Sequence, residues 1–173
     1  MIQLLMRPRS RRPESRGQAL VEFALIVPIF VLVLVAIFDL GRGVYAFSTI
    51  NNAAREAGRL EIVDQMCLDV KNRAADHAVA LGLTASAVTV EVLQPDGTPY
   101  SPARTCPTNP TSADSLTAAI GDIAHVKVTY TFTAATPGLN LVLGAINMVG
   151  ETKQAIEATC VVGPPPAQCP IGS

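Results

Sequence analysis

Residues 16–43 read RGQALVEFALIVPIFVLVLVAIFDLGRG, and the rest of the chain is organised by how this stretch is understood. From Phe23 to Phe38, sixteen consecutive residues carry no charge and no hydrogen-bonding side chain, and of the twenty-one from Gln18 to Phe38 only Gln18 and Glu22 are polar. At ~1.5 Å per helical residue such a segment covers about 30 Å, the thickness of the hydrocarbon core of a bilayer. The spacing predicts one membrane-spanning helix over 18–38. Pro28 inside it is tolerable, because a neighbour or a local adjustment can restore the bond it removes. Glu22 is the anomaly. A carboxylate at membrane depth costs free energy and calls for a partner, unless it reaches back to the nearer interface.

Outward from the span, charge is divided unevenly. The preceding arm holds Arg7, Arg9, Arg11, Arg12 and Arg16 against Glu14, net +4, whereas residues 18–173 hold eight basic and thirteen acidic groups, net −5. A basic cluster before an apolar span keeps that end in the cytoplasm, so everything after Asp39 is expected on the far side of the membrane. A nucleic-acid partner is not expected, since nothing after the span is basic enough to follow a phosphate backbone. A cleaved secretory signal fits less well: its apolar region is usually about 7–15 residues long and ends in small residues, not in FDLGRG.

The expected divisions are a basic cytoplasmic leader 1–17, the span 18–38, a helical extension 39–62, a head over 63–163 and a proline-rich tail 164–173. In the extension Phe47, Ile50, Ala54, Ala57 and Glu61 recur at helical spacing, and Ala53, Ala54, Ala57 and Gly58 make a small-residue patch that another element can approach closely. A helix running from Gln18 to Leu60 would be ~65 Å long. In the head, 67–82 reads as a short helix with Leu68, Ala75, Ala78 and Val79 inward and Gly82 as its stop. Residues 87–93 and 125–133 alternate as strands, and a third strand is expected within 146–162, where Ile156, Ala158, Cys160 and Val162 alternate and Gly150 marks a bulge. Thr98–Asn109, with three prolines, reads as an exposed loop. The expected class is α+β: a long N-terminal transmembrane helix, then a small extracytoplasmic head with one short helix and an antiparallel sheet of about three strands.

Chemistry-bearing residues are few. Cys67, Cys106, Cys160 and Cys169 all lie beyond the span, and an even count in an oxidising compartment favours two disulfides over a metal site. Four cysteines allow three connectivities; Cys67–Cys106 with Cys160–Cys169 is preferred because the second bridge closes a short loop and pins the tail. His77 and His125 read as surface residues. No catalytic set, metal site, cofactor or small-molecule substrate is expected.

The segments GQALVEFALIVPIF (17–30), DLGRG (39–43) and NNAAREAGRL (51–60) resemble class III type IV prepilins, and more closely the TadE-like family of Tad pilus assembly pseudopilins. The resemblance implies cleavage between Gly17 and Gln18 by a prepilin peptidase. It implies further that Glu22, beside Phe23, meets the N-terminal amine of a neighbouring pilin subunit, an arrangement in which each charge is heavily penalised without the other. The partners it implies are the membrane, the peptidase, other pilin or pseudopilin subunits and the Tad assembly machinery. The place is the inner membrane, crossed once with the N-terminus cytoplasmic, or the pilus itself. The rival readings are an unprocessed, membrane-anchored binding module and an extracytoplasmic enzyme.

Overall fold

The computed structural model describes residues 15–136 and 144–159. Most of the leader, the tail and the proposed Cys160–Cys169 bridge lie outside the described residues. Helix α1 runs unbroken over Ser15–Glu61, 47 residues with Pro28 inside, and is therefore ~70 Å long. Helix α2 covers Cys67–His77 and passes into a single 3-10 turn at Val79–Leu81, closed by Gly82 at φ 67°. Four strands follow: β1 Val88–Leu93, β2 Pro99–Thr105, β3 Ile123–Phe132 and β4 Ile146–Ala155. They form one antiparallel sheet in the order β2-β1-β3-β4. The α+β class with a long apolar helix ahead of a head therefore stands, with four strands where the sequence reading has about three.

The extra strand is β2, in the stretch read as a loop. It lies at the sheet edge, where a proline's missing N–H faces no partner, so Pro99 and Pro102 do not prevent it from pairing with β1. β4 also differs from expectation: it occupies 146–155 and stops before Ile156. Gly150 is not a bulge, since the β3–β4 register is unbroken from Ile123 opposite Ala155 to Phe132 opposite Ile146. The glycine answers a different demand. A Cβ there would lie 2.6 Å from the carbonyl oxygen of Ile50, so β4 rests directly on the α1 backbone.

The C-terminal half of α1 lies on β3 and β4, and α2 fills the angle between α1 and β1. The small-residue patch is therefore the seat of the chain's own sheet. Ile50, Ala53, Ala54 and Ala57 from α1 meet Val88, Val90 and Val92 from β1 and Ala124, Val126 and Val128 from β3, with Val70 and Ala74 of α2 completing the core. Alternation along β1 and β3 is what the sequence predicts, because antiparallel partners such as Val90 and Val126 share a face. On α2 the inward stripe is Cys67, Val70, Lys71 and Ala74, not the expected Leu68 and Ala75; Val79 is 74 % exposed. On α1 Phe47 also points away from the core.

Three further ties hold the head. Cys67 at the start of α2 is bridged to Cys106 just after β2, with a Cα–Cα distance of 5.6 Å. A bridge of this kind contributes about 2–4 kcal/mol. Beside it the buried Lys71 donates from Nζ to the carbonyl oxygens of Pro107 at 2.6 Å and Thr108 at 3.4 Å, and burial lowers its pKa. At the far end of α1, Gln65 donates from Nε2 to the carbonyls of Glu61 (2.7 Å) and Ala158 (2.9 Å), while Ile62 O accepts from the amides of Glu157 and Ala158.

Glu61, the last residue of α1, is fully buried, and neither of its carboxylate oxygens has a hydrogen-bond partner. Burial, reinforced by the negative Glu91, raises its pKa well above the ordinary 4.5. A carboxyl whose folded pKa is raised favours folding most at acid pH, and that contribution is lost as pH climbs from 4.5 through the raised value.

Two expectations follow for the detergent-solubilised full chain. Gly150→Val should destabilise the head by at least ~1–3 kcal/mol in denaturant unfolding, because backbone cannot yield as a side chain can. Gly41→Ala, with nothing within 4 Å of its added carbon, should be neutral or slightly stabilising. Glu61→Leu should raise stability at pH 7.5 by about 1–3 kcal/mol and flatten the loss of stability between pH 5 and 8. An unchanged pH profile in this variant would show that Glu61 is not the source of the slope.

Candidate functional site

The first turns of α1 carry the residues singled out as the processing and subunit-contact site. Gly17 and Gln18 lie within the helix, and a Cβ on Gly17 would meet nothing within 4 Å. Glu22 and Phe23 are both exposed one turn further on. Gln18 Nε2 donates to Glu22 Oε1 at 3.1 Å, an i,i+4 pair along one helix face. Glu22 thus has one neutral local donor, which leaves most of its acceptor capacity unused.

From Leu20 to Leu34 the large apolar side chains of α1 other than the half-buried Val27 are exposed, because no part of the head reaches them. This bare cylinder is long and apolar enough to cross a membrane. It matches the length expected of residues 18–38, and a helix that is hydrophobic all round requires an apolar surrounding phase.

The span ends at Asp39, which the sequence reading passes over. Its carboxylate is buried and accepts from the Thr136 hydroxyl at 2.6 Å, the Thr136 amide at 2.7 Å and the Ala135 amide at 3.0 Å, and Arg42 donates to it at 3.1 Å. These bonds, that from the Thr136 hydroxyl first, hold its pKa down at about 2. Asp39 therefore fastens the chain leaving β3 to the helix at the level where the span stops. The signal available in sequence is its position, a charge placed directly after sixteen apolar residues.

His125 is the other residue placed differently from expectation. It is buried, not superficial, because it stands in the middle strand of a cross-strand charge cluster on the outer face of the sheet. Its Nδ1 lies 2.8 Å from Glu91 Oε1 and its Nε2 3.4 Å from Glu151 Oε2, and Lys127 Nζ lies 3.3 Å from Glu91. Opposite charges facing each other across strands stabilise a sheet, and the register that pairs Glu91 with His125 and Lys127 with Glu151 accounts for the arrangement. His77 is exposed, as expected. Among the described residues no group of three or more His, Cys, Asp or Glu is placed to hold a metal ion.

A second polar network ties β2 to the long connection before β3. Tyr100 donates its hydroxyl proton to Asp122 Oδ1 at 2.8 Å, the Ala119 amide donates to Oδ2 at 2.9 Å, and the Arg104 guanidinium lies over the Tyr100 ring at 3.6 Å. Hydrogen bonding to Asp122 raises the Tyr100 pKa. This network supports the edge of the sheet.

The residues singled out in the sequence at 17, 18, 22 and 23, the bare apolar cylinder and the junction at Asp39 all lie on α1. Comparison with known proteins falls on the same part. No curated protein and no solved structure matches the chain. Residues 17–59, from the glycine before the span to Arg59 in the last turn of the helix that seats the sheet, match the family model described as TadE-like protein, and the similarity is confined to α1.

Proposed function

We propose that the chain is a minor pilin or pseudopilin that acts in assembly of a Tad-type pilus, anchored by α1 in the inner membrane with its N-terminus cytoplasmic and its head outside. The observation that carries this reading is the family match over residues 17–59, which ties the chain to the Tad pilus system. Three physical features support it. Position 17, before the proposed cut, carries no side chain, and an added Cβ there would meet nothing within 4 Å. The arginine-rich arm before the span favours retention of that end in the cytoplasm. The Cys67–Cys106 bridge belongs in an oxidising compartment, on the side where the head would stand.

In this role a prepilin peptidase removes residues 1–17 and leaves Gln18 as the new terminus. The ammonium so created, on a neighbouring subunit, is the partner of Glu22. Within one chain Glu22 has only the Gln18 amide, so docking of a second subunit replaces a weak neutral contact by a charged one in a low-dielectric environment. Gln18 adds a condition. An N-terminal glutamine can cyclise and lose its amine, and a cyclised subunit would offer Glu22 no cation.

Gly17→Leu should stop cleavage, and N-terminal sequencing of the membrane-extracted protein should then return the precursor in a host that contains the peptidase. Glu22→Leu should be inserted and cleaved normally but should fail to co-purify with partner subunits, at a cost of roughly 3–5 kcal/mol per contact. Normal piliation by Glu22→Leu would remove the ion pair from the account and leave processing intact. A full-length mature protein from wild-type cells would instead favour the unprocessed binding module.

A further inference from the structure

Between α1 and the membrane-proximal end of the sheet lies a wedge-shaped groove of about 500 Å³. One wall is a stripe of α1 that includes Ala36, Leu40 and Phe47; the other is formed by Phe132, Ile146 and Met148 where β3 ends and β4 begins. Leu40 is 69 % exposed, Phe47 54 % and Ile146 40 %, so large apolar surface stands uncovered on both walls. At Gly43 an added Cβ would reach only the side chains of Phe132 and Met148, at 3.8 and 3.9 Å, so at this end helix and sheet face each other across side chains and not backbone to backbone as at Gly150. Asp39 also borders the groove, but its carboxylate oxygens are taken by Ala135, Thr136 and Arg42, so its charge is not presented to an occupant.

We propose that this groove is a lipid site, filled by an acyl chain of a phospholipid in the leaflet from which α1 emerges. The inference rests on α1 being a membrane span and holds for either orientation of that span. Continuity identifies the occupant. The exposed apolar surface of the span continues along one side of α1 through Val33, Ile37, Leu40, Val44 and Phe47, the last three of which line the groove, so the groove is an upward extension of the surface that already faces lipid.

With Gln18–Phe38 in the hydrocarbon, Leu40 to Val44 stand ~3–9 Å beyond its edge, mostly within the headgroup layer of about 5–8 Å. Sinking the helix by four residues, ~6 Å, takes Leu40 within the hydrocarbon, brings Arg42 to its edge, from which the side chain reaches the phosphates, and leaves Val44 ~3 Å outside. The same movement carries Glu22 to the level first held by Gln18, at the opposite interface. In a free subunit one displacement therefore covers apolar surface at one end and hydrates Glu22 at the other, at the cost of taking Asp39, with its bonds from Ala135, Thr136 and Arg42, ~5 Å below the hydrocarbon edge.

The chain contains no tryptophan, so a single introduced one reports its surroundings alone. The full chain is reconstituted in vesicles of phosphatidylethanolamine and phosphatidylglycerol containing phosphatidylcholine brominated along its acyl chains. Reporters are Ile146→Trp in the groove, Val44→Trp on the opposite wall, Phe30→Trp in the span and Ala103→Trp at the far end of the head. The expected result is quenching by brominated lipid and blue-shifted emission for the groove and span reporters and neither for Ala103→Trp. Adding Phe47→Glu should abolish quenching of Ile146→Trp while leaving Phe30→Trp quenched. Quenching at Phe30→Trp with water-like emission at both groove reporters would overturn the lipid site and leave the span standing. A blue shift without bromine quenching, lost on dilution of protein in lipid, would overturn it in favour of a second copy of the chain. Absence of quenching at Phe30→Trp would overturn the span itself and the lipid site with it. Far-UV circular dichroism confirms that each variant is folded.

Discussion

The contact of the β4 backbone at Gly150 with the α1 backbone at Ile50 sets the geometry of the head. Only a residue without a Cβ admits it, and the alanines at 53, 54 and 57 continue the same thin surface along the helix. Because β4 is held there, β3 is registered against it over ten residue pairs, and β1 against β3, so that Val88, Val90 and Val92 extend the apolar sheet face beyond α1 to where α2 covers it. A small head obtains its core by sharing the helix that also anchors it. The head has no independent centre: without the second half of α1, the inner faces of β3 and β4 would be uncovered and α2, which covers β1, would lose its own seat.

The two carboxylates at the ends of this shared segment are treated in opposite ways. Asp39 accepts three hydrogen bonds from residues 135 and 136 and a fourth from Arg42, and is held ionised. Glu61, about 33 Å further along the helix axis, is buried without a partner and is driven towards its neutral form. The first behaves as a fastening at the membrane surface. The second is a local concession within the core, where an apolar side chain of the same size would serve stability better.

How much of this was legible in the sequence depends on the range of the cause. The span, the long helix and the strands at 88–93 and 123–132 follow from local periodicity, and the Cys67–Cys106 bridge is one of the pairs the cysteines allow. Gly150 could be seen as special from its type alone, but the reason for it lies a hundred residues away in Ile50, so a bulge was the natural local reading. β2 was hidden because prolines at an edge strand look the same in sequence as prolines in a loop. His125 occupies an outward position of β3, and only the register with Glu91 and Glu151 shows that it is enclosed. At the N-terminus Gly17, Gln18, Glu22 and Phe23 were readable as a pattern, whereas their meaning depends on a peptidase and a neighbouring subunit that one chain does not contain.

The attachment of the head at both ends of its seat has a mechanical side. Asp39 grips the chain beyond β3 at the bottom, Gln65 and Ile62 grip the chain beyond β4 at the top, and between them the sheet lies along the helix instead of hanging from its tip. A pull directed along the axis of α1 therefore meets these contacts in shear and loads them together; it cannot peel them apart one after another. The helix and its head respond to such a load as one rod, with the bare half of α1 as the only part left free to slide.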